Sequence, residues 1–259
     1  MNQRINGTTT LRALFTMAIM TTFGGIPNIS LSPPARTEQA VISLSPSRDN
    51  TLYENATGVI SNGAGSFFFA GRTNNGLNRR GVIAFDIAGN IPAGSTIDSV
   101  TLSLHMSQTL PGNQNVSLHR LLANWGEGSS NAVMEEGQGA PAATGDATWL
   151  HTFFNTSLWT AAGGDFAGSA SASASVGAVN FYTWGSTTQM RADVQGWLDN
   201  PSSNFGWLVR GNESVLATAK RFDSKENITT ANRPALVIDY TPNPGTGDDF
   251  WLFLPLTLN

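Results

Sequence analysis

The chain contains no cysteine. That single absence removes disulfides, thiolate nucleophiles, Cys-ligated zinc and iron–sulfur clusters. A chain of 259 residues can bury a core large enough to do without disulfides, even outside the cell. Charge is scarce too. Asp, Glu, Lys and Arg make up 12% of the residues, about half the usual ~25%, which excludes a coiled coil or a charge-rich helical protein. There are 14 basic residues against 18 acidic ones, for a net charge of −4. No basic run occurs, so the electrostatic footprint of a nucleic-acid binder is missing. No apolar run approaches the roughly 20 residues of a transmembrane helix.

Apolar residues are plentiful at 40%, which argues against a disordered chain. Glycine is plentiful as well, at 27 of 259 residues, and implies many turns. Residues 1–40 read as an export signal and leader. Arg4 and Arg12 flank the start of ALFTMAIMTTF (13–23), an apolar core of signal-peptide length. The expected location is therefore secreted or cell-surface. Residues 242–259 read as a Pro/Gly linker followed by FWLFLPLTLN, which is too short to span a bilayer.

Between these ends, residues 41–241 form one expected domain with a hydrophobic period of two. In 99–107, Val100, Leu102, Leu104 and Met106 alternate with Thr101, Ser103, His105 and Ser107, the pattern of a strand with one buried face. Further strands are expected at 41–44, 51–54, 66–71, 81–87, 115–122, 148–154, 180–184, 206–210, 220–224 and 235–240. Turn signals such as Asn74-Asn75-Gly76 and Pro92-Ala93-Gly94 separate them. Many short strands with regular turns predict an all-β fold, an antiparallel β-sandwich of jelly-roll-like form. One segment breaks the period. Met190, Val194, Trp197 and Leu198 recur at helical spacing in 188–198, and Asn200-Pro201 stops them. The stretches 127–146 and 161–176 read as long loops, with the Ser/Ala alternation at 169–175 a weak strand candidate that has nothing large to bury.

The catalytic signals are thin. His105, His119 and His151 stand in no metal or triad spacing, and no nucleophile elbow or phosphate loop is present. Glycoside hydrolysis needs two carboxylates flanking a cleft. Glu135 and Glu136 are adjacent and diverge in extended chain, which leaves Glu127 and Asp146 as the first pair to check. A structural calcium ion would draw oxygens from Asp49, Asn50 and Glu54 near the first strands and from Asp223 and Glu226 near the last. The alternative for these acids is a strand-end cap paired by arginine. For sugar binding, Arg72, Arg79 and Arg80 surround a Gly/Asn-rich turn and would suit an acidic glycan if they converge. Trp159 and Trp184 flank the Ser/Ala-rich loop and are the tryptophans best placed to stack on a sugar face, with core packing as the alternative.

Several phrases follow one another along the chain in a characteristic order. They are Asp49-Asn50-Thr51-Leu52-Tyr53-Glu54, Arg80-Gly81-Val82-Ile83-Ala84-Phe85-Asp86, and Ile91-Pro92-Ala93-Gly94-Ser95-Thr96-Ile97. Trp125-Gly126-Glu127-Gly128, Asp193-Val194-Gln195-Gly196-Trp197, Asn204-Phe205-Gly206-Trp207, Arg221-Phe222-Asp223-Ser224-Lys225-Glu226 and Arg233-Pro234-Ala235-Leu236 follow. Together, over about 41–241, they resemble the DNRLRE-domain family, which is related to disaggregatase-type repeats. The resemblance implies a secreted bacterial or archaeal β-sandwich of non-catalytic role, carbohydrate-binding in some members. The expected partner is an extracellular polysaccharide or a cell-envelope component. A structural or adhesive envelope protein without a small ligand is the rival expectation, and a polysaccharide-degrading enzyme the third.

Overall fold

The computed structural model describes residues 38–110 and 112–243. Nearly all of the expected export leader, and the apolar segment at 250–259, lie outside the described residues. The strands are β1 (Ala40–Leu44), β2 (Arg48–Tyr53), β3 (Ile60–Ser61), β4 (Phe67–Arg72), β5 (Asn78–Ala84), β6 (Thr96–Thr109) and β7 (Gln114–Arg120). They continue as β8 (Ala140–Pro141), β9 (His151–Phe153), β10 (Ser157–Leu158), β11 (Ala172–Val176) and β12 (Asn180–Trp184). After the helix α1 (Thr188–Asp199) come β13 (Trp207–Arg210), β14 (Lys220–Asp223) and β15 (Ala235–Thr241). The fold is an antiparallel β-sandwich with one short helix.

The long strand β6 organises the first layer. Residues 96–103 pair with β15, 106–109 with β14, and 102–106 with β12. Because β12 shares residues with both of the others, it runs along the opposite edge. β1 extends the layer beyond β15, and β4 extends it beyond β14. The second layer is β2, β5, β13, β7 and β11. β4 joins the layers. Phe67 to Ala70 pair with β14, then Gly71 and Arg72 pair with β5. The corner demands glycine, since Gly71 has φ +121° and an added Cβ would sit 2.7 Å from the Thr218 carbonyl oxygen.

The alternation in β6 sets the packing. Val100, Leu102, Leu104 and Met106 point inward and meet Ile83, Val116, Leu118, Trp207 and Val209 of the second layer. Helix α1 closes one end with Met190, Val194, Trp197 and Leu198. Its N-terminus is capped by the Thr187 hydroxyl, which accepts from the Met190 N–H at 3.0 Å. The expected helix is extended by one residue, to Asp199. A second cluster covers the outer face of the second layer, where Leu52, Val82 and Leu208 pack under Trp125, Trp149 and Trp159. Trp125, just before the 127–146 stretch, and Trp149 and Trp159, between it and the 161–176 stretch, thus cover that face. The Ser/Ala segment forms β11 in full register with β7, and its small side chains suffice because Trp184 supplies the bulk beside them, its indole N–H donating to the Val116 carbonyl at 2.8 Å. Among the described residues no helix is long and apolar enough to cross a membrane.

Candidate functional site

The outward-facing residues of the first layer form an ordered surface. Register places Phe181 of β12 opposite His105 of β6. Asp223 of β14, itself opposite Phe67 of β4, bonds His105 from the other side: His105 Nδ1 lies 2.6 Å from Asp223 Oδ2. Phe181, His105, Asp223 and Phe67 therefore form one row across four strands. The His105 and Phe181 ring centroids are 4.7 Å apart. Phe181 is 48% exposed, the one aromatic among the exposed large apolar side chains of the described residues. Beside this row, the Arg221 guanidinium lies 3.8 Å from the Phe67 ring centroid, donates to Ser107 Oγ at 3.1 Å, and pairs with Glu135.

Arg221 also lines a cleft of about 460 Å³ at one end of this surface, together with Arg79, Asn74, Asn75, Gln108 and Gln138, and Phe69 lies within it. Three segments wall the cleft, and each is held in place. The turn at 73–77 is closed by Leu77 N–H donating to Thr73 Oγ1 at 3.1 Å and by Thr73 N–H donating to the Leu77 carbonyl at 2.9 Å. The end of β6 is pinned by buried Lys220, whose ammonium donates to Thr109 Oγ1, to the Leu110 carbonyl at 3.2 Å and to the Gly112 carbonyl at 2.8 Å. Burial without a carboxylate partner lowers the Lys220 pKa. The loop carrying Gly137 and Gln138 is anchored by Glu136, which is 7% exposed. Its carboxylate accepts from Asn62 Nδ2 at 2.8 Å, Phe67 N at 2.9 Å and Ser66 N at 3.1 Å. The side-chain amides of Asn74, Asn75, Gln108 and Gln138 make no hydrogen bond to another of the described residues, and all four are exposed.

The expected sugar-binding residues divide. Arg79 lines the cleft; it is buried, stacks over the Tyr53 ring at 4.8 Å and donates to the Gly137 carbonyl at 3.3 Å. Arg72 holds the turn from outside, donating to the carbonyls of Gly76 at 3.0 Å and Glu213 at 3.1 Å. Arg80 follows Arg79 on the same strand and so points to the other face. There it pairs with both oxygens of Glu213 at 2.6 and 2.9 Å, under Trp149. Burial raises the Glu213 pKa, but Arg80 and Arg210 together hold it below its ordinary value. The three arginines do not converge. Trp159 and Trp184 are corrected outright. They are 5% and 0% exposed, their indole N–H groups are spent on the Thr148 and Val116 carbonyls, and neither ring face is open to a sugar.

The five calcium candidates form no single oxygen cluster: Asp49 and Glu226 meet at Lys225, and the other three bond elsewhere. Glu54 accepts the Asn78 N–H at 2.6 Å, and Asp223 is engaged by His105. Asn50 is buried, with its amide donating to Ser61 Oγ and the Glu127 carbonyl, each at 2.9 Å. Asp49 accepts the Lys225 N–H at 2.8 Å, and the Lys225 ammonium sits against Glu226 and, at 3.2 Å, Glu127. A lysine thus supplies the positive charge where a metal was expected. Burial pushes the Asp49 carboxyl well above its ordinary value, and Glu226 and Glu127 add to the rise against the Lys225 backbone bond. Burial lowers the Lys225 pKa, but Glu226 and Glu127 more than offset it and hold the ammonium above its ordinary value. Among the described residues no group of three or more His, Cys, Asp or Glu could hold a metal ion. Glu127 and Asp146 do not flank the cleft. Glu127 Oε1 accepts the Asp49 N–H at 2.9 Å, while fully buried Asp146 accepts the Ala143 N–H at 2.6 Å.

Sequence reasoning missed Gln108, Gln138 and Phe181. Alternation along β6 and β12 already placed polar residues on the outer face, but an amide or a lone phenylalanine carries no motif. No protein-family model matches the chain, and a search of curated proteins finds no match either.

Proposed function

We propose that this protein is a non-catalytic extracellular β-sandwich module that binds an acidic polysaccharide in the cleft between the 73–77 turn, the end of β6 and the Gly137–Gln138 loop. The observation that carries the reading is the set of four unpartnered amides around a pair of guanidinium groups. An amide offers a donor and an acceptor side by side, the pairing that a sugar hydroxyl needs. Glu135 supports the acidic choice. It is 71% exposed and already places a carboxylate on Arg221. The Arg221 side chain is only 14% exposed and held in place by Phe67 and Ser107, so a uronate carboxylate that displaces the exposed Glu135 would keep the charge-assisted hydrogen bonds. The resemblance of the ordered motifs to DNRLRE-domain modules supports the same reading.

The test is glycan-array and calorimetric binding with neutral and uronic-acid polysaccharides. An acidic polymer should bind. The Gln108→Ala/Gln138→Ala double variant should weaken binding about tenfold or more, given roughly 1 kcal/mol per neutral hydrogen bond. Glu135→Gln should strengthen it a few-fold by freeing Arg221. Absence of binding to every polymer, with the protein retained on cell envelopes, would move the reading to a structural or adhesive protein.

A further inference from the structure

We infer that the binding site does not end at the cleft. It continues across the first layer as a track, so that the ligand is an extended linear acidic chain whose residues lie over the Phe181–His105–Asp223–Phe67 row. This rests on the reading of the cleft given above. Continuity comes from Arg221, which lines the cleft and also stacks on Phe67 at the near end of the row. Phe67 and Phe181 sit on the outer strands of four, and a strand spacing of about 4.8 Å puts them roughly 14 Å apart, longer than one sugar ring.

The chemistry of the row fits a glycan. Phe181 presents half its surface to solvent beside the His105 ring, an apolar face next to a polar group. Asp223 is 1% exposed, so its bond to Nδ1 fixes the imidazole tautomer with the proton on Nδ1. That leaves Nε2, which has no hydrogen bond among the described residues, to accept from a sugar hydroxyl. The second Asp223 oxygen is buried and also lacks a partner among the described residues. Asp223 therefore acts on a ligand only through His105, whose ring it orients.

The experiment is calorimetry of the full chain with oligogalacturonates and oligomannuronates of two, four and six residues, on wild type, Phe181→Ala and His105→Gln. Affinity should rise at least tenfold from the disaccharide to the hexasaccharide. Phe181→Ala should abolish most of that rise while leaving disaccharide affinity unchanged, and His105→Gln should reduce it. An unchanged melting temperature for Phe181→Ala shows that the fold is kept. Equal affinity at all lengths, or a hexasaccharide indifferent to Phe181→Ala, would refute the track and leave the cleft standing. Failure of every length to bind wild type would overturn the cleft reading and the track with it.

Discussion

Replacing Glu136 with alanine tests how the cleft is built. The carboxylate is buried and accepts three N–H groups, from Asn62, Ser66 and Phe67. Hydrogen bonds to a charged group are worth about 1.5–3 kcal/mol each. The three share one acceptor group, so their losses do not add in full. Alanine leaves the Ser66 and Phe67 N–H groups inside the protein without this acceptor and Asn62 Nδ2 with only its 3.1 Å bond to the Phe67 carbonyl, and the expected loss is about 3–5 kcal/mol. Against a total stability of roughly 5–15 kcal/mol the domain still folds. At about 2–4 °C per kcal/mol for a domain of this size, the melting temperature should fall by roughly 6–20 °C. Glu136→Gln keeps one acceptor and the side-chain volume and should lose about half as much. Urea denaturation followed by the fluorescence of the buried tryptophans reads both values. Because Gln138 is two residues away, glycan affinity should fall with stability. Should Glu136→Ala unfold within about 0.5 kcal/mol of wild type, an ordinary surface substitution, the anchoring argument is wrong.

Two further expectations rest on separate features. Asp49 has its folded pKa raised by burial, so below the ordinary value of 3.8 it is protonated in both states. As pH rises past that value the unfolded chain loses the proton and the folded one keeps it, so stability falls with pH up to the raised folded pKa. Asp49→Asn should therefore gain stability relative to wild type as pH climbs through that window, and a parallel pair of urea-midpoint profiles from pH 3 to 7 would contradict this. Gly63 has no room for a side chain, since an added Cβ would sit 1.7 Å from the Glu127 carbonyl oxygen. Gly63→Ala should cost about 3 kcal/mol or more by displacing backbone, while Gly185→Ala, with nothing within 4 Å of its added Cβ, should stay within about 0.5 kcal/mol; equal midpoints for the two variants would count against the packing seen here.

The sequence by itself determined the class of fold and most of its elements, because hydrophobic period is a local property of the chain. The alternation in 99–107 reappears as the inward and outward faces of β6, and the 180–184 strand and the 188–198 helix stand almost as read. Element edges moved where the ladder, rather than the pattern, decides. Phe85 and Ile87 are buried, yet β5 ends at Ala84 because the chain turns away to Ile91. Only the tertiary structure decided which of the chemistry-bearing residues are available. Trp159 and Trp184 read as surface candidates because flanking loops say nothing of what lies beneath them; Trp184 is taken up by the core between the layers and Trp159 by the cluster over the outer face of the second layer. Arg79 and Arg80 are neighbours in sequence and part company because a strand alternates. Asp49 meets Lys225 across 176 residues, so a lysine stands beside these acids, which no single stretch of sequence shows. The cleft is likewise drawn from segments near 74, 108, 138 and 221, joined only because β4, β6 and β14 pair and Glu136 ties a loop across them. Such a meeting depends on strand order and register, which are set by the whole fold and leave no trace in any one stretch of sequence.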